Sequence, residues 1–141
     1  MESDFDEVEK NYSVLIWRRV MEIYRSNTNG TNQILYPFGL SNAQMDVICR
    51  VGEYNRISQK ELASKLVVTK GNITQLLQKL EKDGYISRER EWKTNYLSLT
   101  EKGNDLYIKF EPELVDFQRK YFNCLTIDDK ENILRILNKL E

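Results

Sequence analysis

The residues best suited to chemistry in this 141-residue chain lie in TKGNITQLLQKLEKDGYI, residues 69–86. An apolar stripe at helical spacing predicts a helix with one buried side; its members are Ile73, Leu76, Leu77 and Leu80. The opposite side carries amide, hydroxyl and lysine groups with little negative charge. Its outward positions are Lys70, Gly71, Asn72, Thr74, Gln75 and Gln78. Amides donate and accept hydrogen bonds together, so this face suits a hydrogen-bonding partner. The alternative interpretation is an ordinary solvated face.

Catalysis is poorly supported by the residue types present. The chain has no histidine, which removes the commonest general base and the commonest transition-metal ligand. It also has no glycine-rich phosphate loop and no Cys-x-x-Cys motif. We therefore expect no enzymatic activity, no cofactor and no metal site.

Composition places the chain among soluble, mainly helical proteins. The N-terminal stretch MESDFDEVEK is acidic and lacks the apolar core of a secretory signal. No run of about 18 apolar residues is available to span a membrane. Two cysteines are too few for a disulfide scaffold and suit a reducing cytosol. We expect a single domain over residues 1–141 that is cytoplasmic and has no membrane partner.

Charge is distributed unevenly along the chain. Residues 56–102 contain ten Lys or Arg against six Asp or Glu, a local charge of +4. Residues 1–55 contain five against eight, or −3, and residues 103–141 contain six against eight, or −2, which together account for the formal net charge of −1. A basic middle between acidic ends is typical of a nucleic-acid-binding face, although scattered surface charge gives the same pattern.

Capping residues mark the helix starts. A Ser or Thr oxygen can accept a hydrogen bond from an otherwise unpaired backbone N–H at the first turn. The candidate caps are Ser41, Ser58, Thr69, Thr100 and Thr126. They predict helices that begin near residues 42, 59, 70, 101 and 127. Gly84 predicts the end of the helix that begins near residue 70, because glycine favours the left-handed conformation just past a helix.

The predicted order of elements is that of a winged helix-turn-helix. A long N-terminal helix is expected over about residues 6–28, followed by a loop and by helices at 41–54, 58–66 and 69–83. The two-residue link VV between the last two is typical of a helix-turn-helix. Alternating residues on both sides of a polar tip then predict a hairpin with strands near 85–89 and 95–99, and two helices complete the chain. The predicted fold class is mainly α with a small β-hairpin wing.

Three stretches, LSNAQMDVICRV, ISQKELASKLVVTKGNITQLLQKLEKDGYISR and LSLTEKG, together resemble the MarR family of bacterial transcription regulators. The resemblance covers residues 40–103 and is strongest in L-x-K-L-E-x-x-G-x-I-x-R followed by L-T-x-x-G. It implies a homodimer in which residues 1–36 and 103–141 form a dimerisation lobe and residues 40–102 bind double-stranded DNA. It also implies a repressor of a pseudo-palindromic operator that a small aromatic or amphipathic effector releases.

Within this resemblance, the helix from residue 70 is the recognition helix, whose first turns meet base edges in the major groove. Asn and Gln side chains pair with adenine N6 and N7, and the Thr74 methyl suits a thymine methyl. We therefore expect an operator that leans towards A·T pairs. Gln75 falls where the family frequently has an arginine, so the family's guanine contact is not carried over.

The wing is the second expected contact. The family's wing usually ends in Asp-Arg-Arg, and this chain has Glu91, Trp92 and Lys93 at the matching positions. Cations here should contact phosphates or the minor groove, and cations on the preceding helix should contact the DNA backbone. The expected cationic contacts are Arg88, Arg90, Lys93, Lys60 and Lys65. Trp92 has two interpretations, an apolar wedge at the groove or packing across the hairpin base, and we favour the second.

The terminal segments carry more apolar residues than one small monomer can bury, which predicts a partner chain. Four aromatic residues in or after the first helix mark a candidate effector pocket, in the place where the resemblance puts one. They are Trp17, Tyr24, Tyr36 and Phe38. Ordinary core and interface packing is the interpretation that we favour for them.

The cysteines raise the alternative of a regulator that senses oxidation. Cys49 shares helical spacing with Met45 and Ile48, which predicts a core position, and Cys124 shares spacing with Phe117 and Tyr121. Relatives that sense oxidation carry their cysteine near the start of the first helix, where this chain has none.

A further alternative is a winged-helix module that binds protein instead of DNA. The polar, cationic face from residue 70 favours DNA over protein.

Overall fold

A computed structural model describes residues 2–67 and 70–140 of the chain, and side chains from residue 6 onwards within those ranges, except that of Lys70. The helices are α1 (Glu2–Leu35), α2 (Asn42–Tyr54), α3 (Gln59–Lys65), α4 (Lys70–Lys82), α5 (Glu101–Tyr121) and α6 (Ile127–Asn138). The strands are β1 (Ile57–Ser58), β2 (Ile86–Glu91) and β3 (Thr94–Leu99), and a short 3₁₀ turn, Tyr36–Phe38, follows α1. None of the helices in the described ranges has the length and apolarity needed to cross a membrane.

The predicted fold class is confirmed, and one strand is added to it. The hairpin of β2 and β3 is joined by β1 in an antiparallel sheet of order β1-β3-β2. Ile57 of β1 pairs with Leu97 of β3, which in turn pairs with Arg88 of β2. Ile57, Ile86 and Leu97 are all buried, so the inner face of the sheet closes one side of the core.

The capping residues act as predicted wherever the structure describes them. Ser41, Ser58 and Thr100 each accept a hydrogen bond from a backbone N–H of the first helical turn, at donor–acceptor distances of 3.0–3.2 Å. Thr126 accepts one from Asp129 at 3.1 Å. The predicted starts of α2, α3, α5 and α6 are thus confirmed, and the predicted Thr69 cap lies outside the described residues.

The predicted end of the first helix near residue 28 is wrong, because α1 continues to Leu35. The stretch SNTNGTNQIL is rich in residues that favour turns, and tertiary contacts override that tendency. The Thr28 hydroxyl donates back to the carbonyl of Tyr24 at 2.8 Å, which keeps it within the helical pattern. A Cβ at Gly30 would overlap the Phe117 ring of α5, so the glycine is required by the close packing of the two helices.

The core lies where α1 ends, between α2, α4, the sheet and α5. Its largest fully buried side chain is Phe110, which meets Phe38 edge to face at a ring-centroid distance of 6.3 Å. Gly103 in the first turn of α5 sits directly against the Tyr85 carbonyl, where a Cβ would overlap the backbone. This close approach joins α5 to the start of β2 and fixes the wing relative to the core.

The strands of the hairpin are longer than predicted. The expected ranges, 85–89 and 95–99, leave a polar tip of five residues, whereas β2 and β3 pair up to Glu91 and Thr94. Only Trp92 and Lys93 remain in the turn. A two-residue turn is the commonest way to join antiparallel strands, and continuous pairing satisfies backbone groups that a longer loop would leave to water.

Candidate nucleic-acid interface

Helix α4 has the two faces predicted for it. Ile73, Leu77 and Leu80 are buried at 3 %, 0 % and 0 % exposure, and Leu76 packs partly against the same core. The outward positions whose side chains the structure describes are all exposed; they are Gly71, Asn72, Thr74, Gln75 and Gln78. None of the polar side chains at these positions donates or accepts a hydrogen bond within the described part of the chain. The amide and hydroxyl groups are therefore available to a partner.

Helix α3 lies between the start of α4 and the wing. One groove runs between α3 and α4, where Lys60 and Ser64 face Thr74. A second groove runs between α3 and β3, where Lys60 and Ser64 face Lys93 and Asn95. Lys60 thus belongs to both grooves and places a cation between the polar face of α4 and the wing.

Lys65 lies apart from Lys60, the other lysine of α3 that was expected to contact the DNA backbone. Its ammonium lies 5.2 Å from the centroid of the Tyr54 ring, at the end of α2. A five-residue offset turns Lys65 about 140° around α3 from Lys60. The structure therefore does not bring the two lysines together on one face.

The wing ends in a two-residue turn with an unusual residue in it. Trp92 has φ of 58°, in the left-handed region, and its side chain is 91 % exposed. The favoured interpretation of Trp92, packing across the base of the hairpin, is therefore wrong. Lys93 beside it is also exposed, and the Arg90 Nε donates to the Trp92 carbonyl at 3.3 Å.

Two arginines, Arg88 and Arg56, hold the wing against the rest of the domain through ion pairs. The Arg88 Nε lies 3.2 Å from a carboxylate oxygen of Glu81 in α4, and the Arg88 side chain is only 27 % exposed. Alternation along β2 turns this side chain towards the same face as Ile86. Arg88, expected as a cation for DNA, is thus engaged within the domain.

The second of these arginines is Arg56, for which the sequence predicted no role. A guanidinium nitrogen of Arg56 lies 2.7 Å from Glu91 and 3.9 Å from Glu89, and the guanidinium carbon lies 3.8 Å from the centroid of the Tyr96 ring. These groups lie on the outer face of the hairpin, opposite Arg88. Apart from its charge Arg56 carried no sequence signal, since its role depends on β1 pairing with β3.

The two thiols have different environments. Cys49 in α2 is partly buried against the core, and its sulfur lies 3.7 Å from that of Met45. Burial, together with the nearby carboxylates of Glu53, Asp46 and Glu111, raises the pKa of the Cys49 thiol to about 12. The core position predicted for Cys49 agrees with this packing. Cys124 is exposed and lies beyond Tyr121, the last residue of α5, so it does not continue the helical face predicted for it.

The four aromatic residues of the candidate effector pocket do not lie together. Trp17 and Tyr24 line one groove along α1. Tyr36 is 85 % exposed, and Phe38 packs against Phe110. Residues 17 and 36 are nineteen positions apart, a helical distance of roughly 28 Å, which exceeds the span of one small molecule. The four residues therefore do not form a single pocket within one chain.

The terminal helices leave a large apolar surface uncovered. No residue of α6, all of which the structure describes, is buried. An apolar cleft of about 560 Å³ lies between α1, α5 and α6. The apolar residues that line it are Val20, Ile23, Phe122, Leu125, Ile133, Leu134 and Leu137. Leu134 is 61 % exposed and Leu137 is 46 % exposed, which is far more than leucine side chains show in a protein core.

The fold and the exposed face of α4 define a winged helix-turn-helix protein, and comparison with known proteins identifies its family. A profile of the MarR family matches residues 40–91. An uncharacterised HTH-type transcriptional regulator of Bacillus cereus is 38 % identical over 120 residues, covering 85 % of this chain and 82 % of the relative. The transcriptional regulator SarZ of Staphylococcus saprophyticus is 29 % identical over 148 residues, covering 99 % of this chain and 96 % of SarZ. The chain belongs to the MarR family and is a transcriptional regulator.

Solved structures share the fold over most of the chain. AbsC, a MarR family transcriptional regulator from Streptomyces coelicolor, superposes with a TM-score of 0.81 at 23 % identity, over 89 % of this chain and 88 % of AbsC. A mutant of Escherichia coli MarR, solved with operator DNA, superposes with a TM-score of 0.79 at 23 % identity, over 92 % and 96 % of the two chains. The likeness therefore extends well beyond the residues of the profile match.

Proposed function

We propose that this chain is a homodimeric repressor that binds a pseudo-palindromic operator, with α4 in the major groove and the wing beside the adjoining minor groove. The observation that carries the proposal is the exposed amide and hydroxyl face of α4 above a buried apolar stripe. A recognition helix needs both, because the buried stripe fixes its position and the exposed groups remain free for base edges. The Escherichia coli MarR mutant and Sco3205 of Streptomyces coelicolor have both been solved with DNA, which supports this placement.

In this proposal the α4 residues divide into two roles. Asn72, Gln75 and Gln78 pair with adenine edges, and the Thr74 methyl contacts thymine. Lys70 and Gly71 lie at the N-terminus of α4, where the backbone approaches the phosphates most closely. These four side chains support an operator in which A·T base pairs are favoured.

We propose fewer cationic contacts to DNA than the sequence predicted. Two of the proposed cations, Lys60 and Lys93, line the groove between α3 and the wing, and Arg90 lies at the wing tip. They supply contacts that position the protein on DNA without specifying sequence. Arg88 and Lys65 are left out, because Arg88 is paired with Glu81 and Lys65 lies over Tyr54.

A second copy of the chain is the partner proposed for the apolar cleft of α1, α5 and α6. A two-fold dimer would bury its leucine and isoleucine side chains, each of which contributes about 1.5–3 kcal/mol on full burial. The dimer would also present two α4 helices to half-sites about one helical turn apart.

An effector is the least constrained part of the proposal. The BpsR structure from Bordetella bronchiseptica concerns regulation of DNA binding by 6-hydroxynicotinic acid, a small aromatic acid. In this chain, the groove of α1 lined by Trp17, Tyr24 and Arg25 offers aromatic surface beside a cation. A small aromatic or amphipathic molecule bound there would release the operator by favouring a different separation of the two α4 helices.

The proposed function is tested by selecting bound duplexes from a random pool at increasing salt. Recovery of an inverted repeat with half-sites about one turn apart is the expected result. Binding that enriches no sequence and disappears at moderate salt contradicts it and favours the protein-binding alternative.

A further inference from the structure

The tip of the wing carries an apolar group that the contacts described above do not use. Trp92 is 91 % exposed and holds a φ of 58° in a two-residue turn. Turns with a positive φ at their first central residue are dominated by glycine, asparagine and aspartate, because a bulky side chain is strained there. Bulky residues that keep such a backbone cluster at functional sites, so an exposed tryptophan here indicates a partner.

The surroundings of Trp92 favour a polyanionic partner. The Lys93 ammonium lies 5.8 Å from the centroid of the Trp92 ring, and the Arg90 Nε donates a hydrogen bond to the Trp92 carbonyl. The acidic residue of the tip, Glu91, is turned to the outer face of the sheet, where Arg56 pairs with it at 2.7 Å. The tip therefore presents an apolar ring beside cations, with the neighbouring carboxylate already neutralised.

The position of the tip matches a groove of the DNA that α4 would bind. The grooves on either side of α3 share Lys60 and Ser64, so the polar face of α4 and the wing lie on one side of the molecule. When a helix occupies the major groove, an element beside it reaches the adjoining minor groove. That groove is about 6 Å wide, which admits a flat aromatic ring only edge first.

We propose that Trp92 inserts its indole into the minor groove, a groove into which other proteins also place apolar side chains, and packs there against deoxyribose walls and base edges. The inference rests on the proposed function and adds a contact that selects against guanine. The guanine 2-amino group projects into the minor groove and would collide with the ring, whereas A·T pairs leave the space open. Trp92 would thus extend A·T preference to base pairs outside the reach of α4.

Fluorescence of Trp92 is the direct measurement. The chain has two tryptophans, so Trp17→Phe leaves Trp92 as the only one. On addition of the selected operator we expect strong quenching of its emission and protection from acrylamide. Unchanged emission and unchanged acrylamide access, with the operator bound, would overturn the insertion.

Affinity measurements separate the contribution of the Trp92 ring from that of the Lys93 charge. Trp92→Ala should weaken operator binding about tenfold, a value within the range for loss of one aromatic–base contact. Trp92→Gly should weaken operator binding to the same extent. The Tm of this variant should stay the same or rise, because glycine accepts the positive φ without strain. A loss of binding that followed a loss of Tm would assign Trp92 to the fold and contradict the proposal. Lys93→Ala is the matched control, which should reduce the salt dependence, whereas Trp92→Ala should not.

Base analogues test the groove itself. Replacing A·T by G·C at the positions under the wing should weaken wild-type binding, and inosine·cytosine, which lacks the 2-amino group, should restore it. Trp92→Ala should be indifferent to all three. If the wild type binds no DNA, the proposed function is wrong, and the proposed minor-groove contact of Trp92 is wrong with it. If the wild type binds and these substitutions have no effect, only the minor-groove contact fails.

Discussion

At the scale of single residues, the exposed polar face of α4 carries amide and hydroxyl groups and no arginine. An amide contributes directional hydrogen bonds without the long-range attraction of a charge. Specificity at this face should therefore depend on a few base pairs, and the general attraction to DNA should come from lysines elsewhere.

Substitution of Gln75 and Lys60 should separate these two contributions. Gln75→Ala should cost about 1–3 kcal/mol on the selected operator and relax the preference at one or two base pairs. Lys60→Ala should weaken all sequences alike and reduce the salt slope by about one. Quantitative binding to the operator and to single-base variants, at several salt concentrations, measures both. Equal loss on every sequence for Gln75→Ala would contradict its assignment to a base edge.

The two thiols should react at very different rates. The thiolate is the reactive form, and burial raises the pKa of Cys49 to about 12. Alkylation near neutral pH should therefore modify the exposed Cys124 first, and labelling of Cys49 should rise about tenfold per pH unit towards pH 12. Mass spectrometry of digested, partly labelled protein gives both rates. Labelling of Cys49 at the rate of Cys124 near neutral pH would contradict its buried placement.

The raised pKa of Cys49 also gives the stability a pH dependence. The folded form holds its proton more tightly than the unfolded form, whose thiol has a pKa near the ordinary value of 9.0. The stabilisation is complete below pH 9 and is lost as the pH rises from about 9 towards about 12. In Cys49→Ala this part of the alkaline decline in the free energy of unfolding should be missing.

At the scale of elements, the wing is a short hairpin that other elements must hold in place. Arg88 connects it to α4 through Glu81, and Arg56 connects its outer face to the end of α2 through Glu91 and Tyr96. A two-stranded hairpin alone is marginally stable in water. The orientation of the tip relative to α4 therefore depends on these side chains and on the pairing of β1 with β3.

Removal of Arg56 should affect DNA binding more than stability. Arg56→Ala should change the free energy of unfolding by less than about 1 kcal/mol, because the pair with Glu91 is partly exposed. Operator affinity should fall and hydrogen exchange of the hairpin amides should rise, since the tip loses its orientation. Arg19→Ala, which removes an exposed ion pair with Glu22 on α1, is the control and should change neither. Unaltered hairpin exchange in Arg56→Ala would show that the strands hold the wing unaided.

At the scale of the whole molecule, the distribution of charge and apolar surface divides the chain into two regions. The uncovered apolar cleft lies among α1, α5 and α6, in the acidic terminal segments, whereas the excess of cations lies between residues 56 and 102. A dimer formed through the first region would carry the second region outward on both copies. This arrangement keeps negative charge away from the phosphates of a bound duplex.

A charge in the cleft should prevent the proposed dimer from forming and weaken operator binding. Leu134→Glu places a carboxylate in the proposed interface, where burial would be costly, so we expect a monomer by sedimentation. Loss of the second α4 should reduce affinity for the inverted repeat far more than for a half-site. Ile108→Glu is the matched control, because Ile108 is equally exposed, at 60 % against 61 %, and does not line the cleft. A Leu134→Glu variant that remained dimeric would place the interface elsewhere.

Local signals in the sequence determined the helix starts, the two faces of α4 and the order of elements, because caps and periodicity act between residues a few positions apart. The family resemblance followed from the same stretches. Only the tertiary structure decided where α1 ends, since the packing of Gly30 against Phe117 outweighs the turn-forming residues around it. It also decided that β1 joins the hairpin, that Arg56 braces the wing, that Arg88 is paired and that Trp92 stands at the tip. Each of these depends on contacts between residues far apart in the chain, which no local pattern of residues specifies.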